Sequence, residues 1–449
     1  MIIARPLDDF AAPNLKRLVG AAKELFGARD CWIIRVPARL CLAADHTDYW
    51  EVFTPELVTF ASDSTVMRAV ISPRSDSMVR LFNIGDYEDC EFDLNEGAPP
   101  RAVGSNSWLE WLDTCGTPAA HWSNYVRGSV HHAQMHHDIK NGFDLLIDSN
   151  IPPASGASSS SALATCAAIA IRLTNGLVLD RGSLVQETAD AEWYVGTRGG
   201  MMDHATMMFA EAGKMLRLTF RPFSAQSLDS STQLADYRFV TIFTHPSDKS
   251  RSTQLAFNAR ALAARDVIPQ MLAESSDDLP DVLSVDEVPN EVMRKYPALQ
   301  AAGDTELRIN NWLAFARGEF ERSQEVQVLL HANGDVATLG SYMDMAWRDA
   351  GELYGIRTPQ MDEIANLCRA CDGVVGIKVM GAGFGGNLLA LVREDCLDGL
   401  RNTLTENQNL LSRSVQDSIL VHNPGQGVSI MSGPEGDMNW SPLWPITEV

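Results

Sequence analysis

The sequence predicts an α+β protein with more than one domain. The chain has 449 residues, enough for two or three ordinary domains. Strand and helix patterns alternate in the first half, the middle is mostly helical, and the last part alternates again. The stretch 222–236 is polar and turn-forming, so we expect a domain boundary there.

Periodicity predicts the individual elements. The first half is predicted to contain, in chain order, a helix at 15–27, apolar strands at 31–44 broken at Pro37, short strands from 58 to 92, a helical region at 108–137, a strand at 142–153 that ends at two prolines, a small-residue helix at 158–173 and a helix at 182–194. The second half is predicted to contain strands at 214–220 and 239–244, helices at 251–264, 290–300, 305–316, 318–332, 336–351 and 358–371, a strand pair at 373–379 and 387–392 around a glycine loop, a helix at 395–406, a strand at 416–421 and a turn-rich tail from Asn423.

Charge and composition exclude several classes of protein. The chain has 36 basic and 58 acidic residues, a formal net charge of −22, which repels nucleic acids and anionic membranes. Neither an N-terminal secretory signal nor an apolar run of about 18 residues is present in the sequence. Eight scattered cysteines do not resemble a disulfide framework. We therefore expect a reduced, cytoplasmic protein that binds neither nucleic acid nor membrane; protein partners stay open.

The first candidate site is a serine-rich segment between a strand and a helix. It runs through Ser155, Gly156, Ala157, Ser158, Ser159, Ser160, Ser161 and Ala162. Small residues let a phosphate approach the backbone, and a helix N-terminus offers free N–H groups with roughly half a positive charge. Hydroxyl groups can add donors or a ligand to Mg²⁺. A serine-rich helix cap and linker is the alternative.

The second candidate is the glycine loop at 381–386. Gly381, Gly383 and Gly386 match G-x-G-x-x-G, but a dinucleotide site requires a helix next, and NLLALV is a strand pattern. The nicotinamide interpretation is therefore rejected. Such a loop can pass close to a ligand, or it can be a plain hairpin turn.

Two polar segments are further candidates. Arg39 precedes Asp45, His46 and Asp48, whose side chains can hold several sugar hydroxyls; a surface loop is the alternative. In the segment 196–204, an Asp in a glycine-rich turn can act as a base, or as a helix N-cap.

Other motifs are weaker. The zinc signature H-E-x-x-H lacks its Glu, so we expect a solvated helix face for His131, His132, His136 and His137. Cys368 and Cys371 have no second pair and are expected to be two partly buried thiols. The absence of G-x-x-x-x-G-K-[ST] excludes a P-loop.

Taken together and in chain order, these segments resemble the GHMP small-molecule kinases, in the galactokinase and N-acetylgalactosamine kinase branch. VPARLCLAADHTDY at 36–49 is similar to V-P-G-R-V-N-L-I-G-E-H-T-D-Y, and the serine-rich segment to G-L-S-S-S-A-S-L. Three further stretches resemble the family, at 192–223, 354–362 and 377–391. The likeness extends over about 30–422.

The resemblance implies two α+β domains, 1–225 and 226–449, with the active site in the cleft between them. It implies ATP and Mg²⁺ as cofactors and a sugar as the small-molecule substrate. It assigns the catalytic roles to Asp203, as base, and Arg39, which holds Asp203 ionised. The other implied positions are residues 155–161 on the ATP phosphates, Ser160 and Glu192 on Mg²⁺, Asp45, His46, Asp48 and Gly200 on the sugar, and Gly381, Gly383 and Gly385 in the cleft loop.

The chain departs from the family pattern mainly at positions that the resemblance assigns to the substrate pocket. Asp45 stands where the family has Glu, Ala44 where it has the preceding Gly, and Cys41 where it has Asn. A sugar-contacting Tyr aligns loosely with Phe257, whose ring cannot hydrogen-bond a sugar. Within the third motif, Met380 and Asn387 replace Thr and Cys. Galactose is therefore a doubtful substrate.

Three functions follow from the resemblance. The first is an ATP-dependent sugar kinase that acts on an anomeric hydroxyl of a sugar other than plain galactose. The second is a weak or inactive relative that binds sugar and ATP and regulates a partner; the intact serine loop, Arg39 and Asp203 disfavour it. The third is a kinase of a non-sugar alcohol, which Asp45, His46 and Asp48 disfavour.

Overall fold

The computed structural model describes residues 2–10, 15–101, 107–229, 232–274, 279–303, 305–432 and 439–444. Its strands are β1 Arg5–Pro6, β2 Asp30–Ala43, β3 Leu57–Pro73, β4 Met78–Asn83, β5 Cys90–Asp93, β6 Phe143–Ser149, β7 Met215–Phe220, β8 Phe223–Leu228, β9 Tyr237–His245, β10 Leu283–Ser284, β11 Glu306–Leu307, β12 Val374–Val379, β13 Gly386–Arg393, β14 Ile419–His422, β15 Pro424–Gly425, β16 Ser429–Ser432 and β17 Asn439–Pro442. No helix in these ranges is long and apolar enough to cross a bilayer.

The helices occur singly or in runs between these strands. They are α1 Lys16–Phe26, α2 Ser107–Cys115, α3 Asn124–His136, α4 Ser159–Thr174, α5 Arg181–Glu192, α6 Met202–Phe209, α7 Arg251–Leu262, α8 Ile268–Glu274, α9 Asn290–Met293, α10 Pro297–Ala302, α11 Ile309–His331, α12 Val336–Glu352, α13 Pro359–Arg369, α14 Leu397–Glu406 and α15 Val415–Ser418. A π-helical turn, Ala263–Val267, joins α7 to α8.

The larger sheet has the central order β17-β16-β2-β3-β6-β4-β5; in addition, β1 pairs with β2, β7 and β15 pair with β3, and β8 pairs with β7. The long antiparallel pair β2 and β3 forms its middle. Helices α4 and α6 pack on both of these strands. Helix α4 buries nearly all its residues because alanines such as Ala162, Ala167 and Ala170 let it lie close to the sheet. This packing brings the start of both helices next to β2.

The smaller sheet is antiparallel, in the order β12-β13-β9-β14. Helices α12 and α13 pack on β12, and α13 also contacts β9. Its core includes Val240, Ile242, Leu388, Ala390 and Phe315. Helix α11 contacts both α12 and the strands β2 and β3, so it connects the second core to the first sheet.

Several predicted boundaries are wrong. Pro37 does not break the first strand; β2 continues through it, with a shift of register between Pro37 and Arg39 that accommodates the missing N–H. The helices predicted at 305–316 and 318–332 are the single helix α11, because Gly318 lies within it, beside Arg322 and Asp349. Such a glycine weakens a helix by about 1 kcal/mol without ending it.

Other elements are more divided than the sequence predicts. The region 108–137 contains two helices, α2 and α3, separated by a segment with Gly116 and Pro118. The predicted helix at 290–300 is divided into α9 and α10, and Pro297 begins the second. The tail after Asn423 is not only turns, since β15, β16 and β17 return to the larger sheet. The predicted domain division at residue 225 falls within β8 and stays a prediction; residues 230 and 231 of the expected boundary lie outside the described residues.

The expected solvated histidine face is wrong for two of the four residues. His131 and His132 are buried, because α2 covers this side of α3 and the two rings contact Trp111 and Trp108. Burial lowers the pKa of His132 to about 3. Of the two cysteines, Cys368 is fully buried in the second core, whereas its neighbour at 371 is half-buried.

Candidate active site

Arg39 and Asp203 form the centre of the candidate site. Arg39 lies in β2, and Asp203 lies in the first turn of α6, which packs on that strand. Nε of Arg39 donates to Oδ1 of Asp203, and its Nη1 donates to the carbonyl of Gly156 at 2.8 Å. The other carboxylate oxygen accepts from Ser158 Oγ at 2.5 Å and Ser161 Oγ at 3.2 Å. Asp203 is therefore oriented by side chains from two other elements, and Met201 occupies the N-cap position of its helix.

The surroundings keep Asp203 ionised. Burial alone would raise its pKa, but the charge of Arg39 and the hydrogen bonds from Arg39 and Ser158 lower it below the usual value. Burial likewise disfavours the charge on Arg39, yet the carboxylates of Asp203 and Asp45 raise the pKa of the guanidinium. The pair is a stable base and a permanent cation in contact.

The serine-rich segment forms the loop that precedes α4. Ala154, Gly156 and Ser158 all have positive φ, so the loop makes consecutive tight turns before the helix begins at Ser159. Ser158 occupies the N-cap position but makes no side-chain cap hydrogen bond; its hydroxyl donates to Asp203 instead. The first-turn amides of a 16-residue helix thus lie beside Asp203, in the geometry that favours a phosphate.

The glycine loop between β12 and β13 packs its backbone against the serine-rich loop. A Cβ added to Gly156 would lie 2.5 Å from the carbonyl of Met380, and one added to Gly381 would lie 2.5 Å from the carbonyl of Gly156. The N–H of Asn387 donates to the carbonyl of Ser155 at 2.8 Å. Only glycine permits this approach at both positions, so the loop is more than a hairpin turn. Gly383 and Gly385, also at positive φ, pack against Ile356 and Pro246.

Asp48, in the turn that follows β2, packs against the glycine-rich turn that contains Gly199 and Gly200 and leads into α6. Its Oδ2 accepts from the N–H of Met202 at 2.9 Å, and a Cβ on Gly200 would lie 2.0 Å from the same oxygen. Burial raises the pKa of Asp48 to about 6, although the Met202 hydrogen bond opposes this. The structure thus brings Asp48 and Gly200 next to Asp203.

His46 is part of a buried hydrogen-bonded chain. Its Nε2 lies 3.0 Å from the carbonyl of Gly381, its Nδ1 lies 3.1 Å from the Tyr49 hydroxyl, and that hydroxyl lies 2.8 Å from the hydroxyl of Tyr354. Because a carbonyl only accepts, Nε2 carries the proton and Nδ1 accepts from Tyr49. Burial lowers the pKa of His46 to about 4, so the ring is neutral at pH 7. The Phe257 ring joins this group, 6.1 Å from that of His46 and 5.9 Å from that of Tyr49.

Asp45 has a partner that the sequence analysis missed. Its Oδ2 lies 3.1 Å from Lys378 Nζ and 3.3 Å from the N–H of Gly381, and Lys378 also donates to the carbonyl of Cys41 at 3.1 Å. Both charged side chains are almost fully buried. Burial alone would raise the pKa of Asp45, but the charges of Lys378 and Arg39 lower it. A lysine inside the apolar strand β12 is the sequence signal that could have revealed this pair.

Glu192 lies at the end of α5, beside the serine-rich loop. Its Oε2 accepts from Ser161 Oγ at 3.3 Å and lies 3.5 Å from His204 Nε2, whereas its buried Oε1 has no hydrogen-bond partner among the described residues. Burial and the charge of Glu192 raise the pKa of Tyr125 to about 12, partly offset by a hydrogen bond with Ser160. Ser161 therefore contacts Glu192 directly, and Ser160 faces Tyr125.

These residues fit a magnesium ion. Mg²⁺ prefers oxygen ligands, and Glu192, Ser161 and Asp203 supply two carboxylates and a hydroxyl at one place. The unpartnered Oε1 of Glu192 is an available ligand atom. No group of three His, Cys, Asp or Glu side chains suited to a metal occurs in the described ranges, so a metal here would retain water or phosphate ligands.

Taken together, the arrangement supplies an ionised carboxylate, a fixed cation, helix-terminal amides that can accept an anion and a set of buried polar side chains that can hydrogen-bond hydroxyl groups. Sequence reasoning also missed Arg265, which donates to the carbonyls of Arg198 at 2.8 Å and Gly199 at 2.6 Å and so holds the glycine turn. It missed Glu319 as well, whose Oε2 accepts from the N–H of Ala44 at 3.0 Å.

Two family models and several known proteins match the chain. The model of the GHMP kinases N terminal domain matches residues 124–211, and that of GHMP kinases C terminal matches 327–409. A galactokinase from Chloroflexus aurantiacus is 26% identical over 428 residues, which is 94% of this chain and 99% of the relative.

Solved structures give the same result for the fold. Lactococcus lactis galactokinase, complexed with galactose, has a TM-score of 0.71 and 24% identity, covering 92% of this chain and 99% of that one. Methanococcus jannaschii mevalonate kinase has a TM-score of 0.55 and 16% identity, covering 87% and 96%.

Proposed function

We propose that this chain, which matches the models of both GHMP kinase domains and shares their α+β fold, is an ATP-dependent phosphotransferase that phosphorylates a monosaccharide. One observation supports this proposal most strongly. The Arg39–Asp203 pair lies directly beside Asp48, and Asp48 belongs to a turn whose side chains can hydrogen-bond sugar hydroxyls. Galactokinases from two organisms are among the relatives and support a sugar over another alcohol.

Asp203 is the proposed general base. Its lowered pKa keeps it ionised, so it can accept the proton of a sugar hydroxyl or polarise that hydroxyl as it attacks. Arg39 fixes the carboxylate and presents a positive charge where negative charge shifts between oxygens during phosphoryl transfer. Positioning and charge stabilisation, rather than a covalent intermediate, are what this reaction requires from the protein.

The serine-rich loop is the proposed site of the ATP phosphates. The backbone amides of residues 155–161 and the N-terminus of α4 would bind phosphate oxygens, and the glycine loop at 381–386 fixes the position of this backbone from the other side. Glu192, with Ser160 or Ser161, would hold Mg²⁺. A bound Mg²⁺ neutralises charge on the phosphates.

The sugar is proposed to lie against Asp45, His46, Asp48, Gly200 and Phe257, and to present its anomeric hydroxyl to Asp203. We propose that this sugar is not plain galactose. Asp45 is one methylene shorter than glutamate and is already bound by Lys378, and Phe257 offers no hydroxyl to a sugar. A site lacking these partners penalises a substrate that needs them by about 1–3 kcal/mol for each unmade bond.

We also propose that the enzyme acts in the cytoplasm. All eight cysteines are free thiols, which supports a reducing compartment. The net charge of −22 supports a small-molecule substrate over a nucleic acid or membrane partner. The intact Arg39–Asp203 pair supports catalysis over the alternative of a regulator that only binds sugar and ATP.

The test is a screen for sugar-dependent ADP release. Purified protein is incubated with Mg·ATP and neutral hexoses, amino sugars and uronic acids, with mevalonate and homoserine as non-sugar alcohols. We expect ADP release with one class of monosaccharide and none with the two alcohols. Binding of sugar and ATP by calorimetry, without ADP release from any sugar, would support the regulator instead.

A further inference from the structure

The turn that carries the proposed sugar-binding side chains has an unusual backbone. Ala44 has a φ of 66° and His46 a φ of 63°, which is the left-handed region. For residues other than glycine this conformation costs about 1–2 kcal/mol, so it persists only where neighbouring groups hold it. Two such residues lie on either side of Asp45, so the direction of its side chain depends on whatever holds this turn.

The first of these residues, Ala44, accepts at its carbonyl from Thr47 Oγ1 at 2.7 Å and donates its N–H to Glu319 of α11. Oε2 of Glu319 accepts the N–H of Ala44 at 3.0 Å, over a sequence separation of 275 residues. Its Oε1 accepts from Arg322 Nη2 at 2.8 Å, and Arg322 Nη1 donates to Asp349 of α12 at 2.6 Å. All three side chains are buried. The carboxylate of Glu319 is therefore fixed in orientation and has one oxygen for Arg322 and one for the turn.

The other side of the turn is fixed by the strand β12 and the glycine loop. Lys378 and the N–H of Gly381 both contact Asp45 Oδ2, and His46 Nε2 donates to the carbonyl of Gly381. The cavity between Asp45, Glu319 and Lys378 has a volume of only about 10 Å³. That is at the lower limit for a single water molecule, so there is little room for solvent to replace a lost contact.

We propose that Glu319 is a positioning residue for the sugar: it holds Ala44 in the left-handed conformation and thereby sets how Asp45, His46 and Asp48 meet the substrate. Glu319 itself does not touch the sugar in this proposal, which rests on the proposed sugar kinase function. The serine-rich loop accepts a hydrogen bond from Arg39 and packs against the glycine loop, whereas the hydrogen bonds of Glu319 go to Ala44 and Arg322. Loss of Glu319 is therefore expected to weaken sugar binding far more than ATP binding.

The test variant is Glu319→Gln. An amide cannot accept from both Ala44 and Arg322, because one of its two arms is a donor. We expect the KM of the best sugar from the screen to rise at least about tenfold, corresponding to ~1.4 kcal/mol, while the KM of ATP stays within about twofold. Glu321→Gln, at an exposed position of the same helix, is the matched control and should change neither constant.

A rescue distinguishes this role from general damage to the fold. Glycine adopts the left-handed conformation without cost, so Ala44→Gly added to Glu319→Gln should recover most of the sugar KM. An unchanged sugar KM in Glu319→Gln, an equal rise of both KM values, or no recovery by Ala44→Gly would overturn the proposal. If Glu319→Gln does not fold, Glu319→Asp keeps the charge for Arg322 but reaches Ala44 less well, and the same outcomes apply.

Hydrogen exchange separates failure of this proposal from failure of the proposed function. The exchange rate of the Ala44 amide, measured by mass spectrometry without any substrate, should rise at least tenfold in Glu319→Gln relative to Glu321→Gln. An unchanged rate would overturn the role of Glu319 even if a sugar is turned over. If no sugar is phosphorylated but the rate rises, the positioning role stands and the sugar kinase function is wrong.

Discussion

Arg39 and Asp203, which are 164 positions apart in the chain, form a partly buried ion pair in which Nε of the arginine donates to Oδ1 of the carboxylate. The pair joins the central strand β2 to the first turn of α6. The second oxygen of Asp203 accepts from two serines of the serine-rich segment, so one carboxylate connects the proposed base to the proposed ATP site. Catalysis is therefore expected to depend on the charge of Asp203 more than on its volume.

The variant Asp203→Asn tests this dependence. It retains the shape of the side chain but removes the proposed base, so kcat should fall by ~10²–10⁴, the usual range for a positioned general base. The KM of ATP should change little. Steady-state kinetics at saturating sugar would measure both. Asp148→Asn, which alters a half-exposed pair with Arg68 at 3.6 Å, is the control; equal kcat values for the two variants would remove Asp203 from the mechanism.

Gly200→Ala is expected to displace Asp48. The added Cβ would lie 2.0 Å from Asp48 Oδ2, which real structures do not allow, so the carboxylate or the turn must move. The KM of the sugar should rise at least about tenfold, or ~1.4 kcal/mol. At Gly199 an added Cβ meets nothing within 4 Å, so Gly199→Ala is a matched control in the same turn. Kinetics that do not distinguish the two variants would show that Asp48 does not bind the sugar.

Asp48→Asn is expected to stabilise the protein while it weakens sugar binding. Burial raises the pKa of Asp48 to about 6, above the value of about 3.9 for a free side chain. The folded state thus favours the protonated carboxyl, and this contribution to stability is lost as the pH rises from about 4 through 6. Above pH 7, Asn should raise the free energy of unfolding by up to about 3 kcal/mol.

Urea unfolding of the two proteins across this pH range measures the effect. The stability difference should be near zero at pH 4, which is the internal control, and should increase up to pH 7. A difference that is the same at both pH values would show that the charge of Asp48 is not its cause.

Phe257→Tyr tests the specificity of the sugar site. The ring already lies beside His46 and Tyr49, so the substitution adds a hydroxyl to this aromatic group. Combined with Asp45→Glu, it should raise kcat/KM for galactose by at least about tenfold, or ~1.4 kcal/mol. Both proteins would be compared on galactose and on the best native sugar. Efficient turnover of galactose by the native protein, or no gain in the double variant, would show that these positions do not exclude galactose.

Local sequence patterns anticipated much of the fold and of the site. The small-residue pattern predicted α4 within a residue at each end, because periodicity and a serine-rich start are local features. The motifs also selected Arg39, Asp203 and Gly381, which the structure brings together. Glycines at 156 and 381 were visible in sequence, but their mutual approach was not, since it depends on two loops 225 positions apart.

The residues that hold the turn with Ala44, Asp45 and His46 could not be identified from local patterns. Lys378 pairs with Asp45 across 333 positions, and Glu319 binds Ala44 across 275. Neither contact leaves a periodic signal, because each is made by a single charged residue on an otherwise ordinary strand or helix. The boundaries predicted at Gly318 and Pro37 are wrong for a related reason, because tertiary packing overrides the local preference of one residue.

The proposed reaction transfers a phosphoryl group from ATP to the anomeric hydroxyl of a monosaccharide. Phosphorus NMR of the reaction mixture tests it most directly, because a sugar 1-phosphate gives a resonance split by the anomeric proton, distinct from ADP and inorganic phosphate. We predict that resonance with the best sugar of the screen, in step with ADP formation, and its loss in Asp203→Asn. ADP with inorganic phosphate alone, or phosphate on a different hydroxyl, would contradict the account.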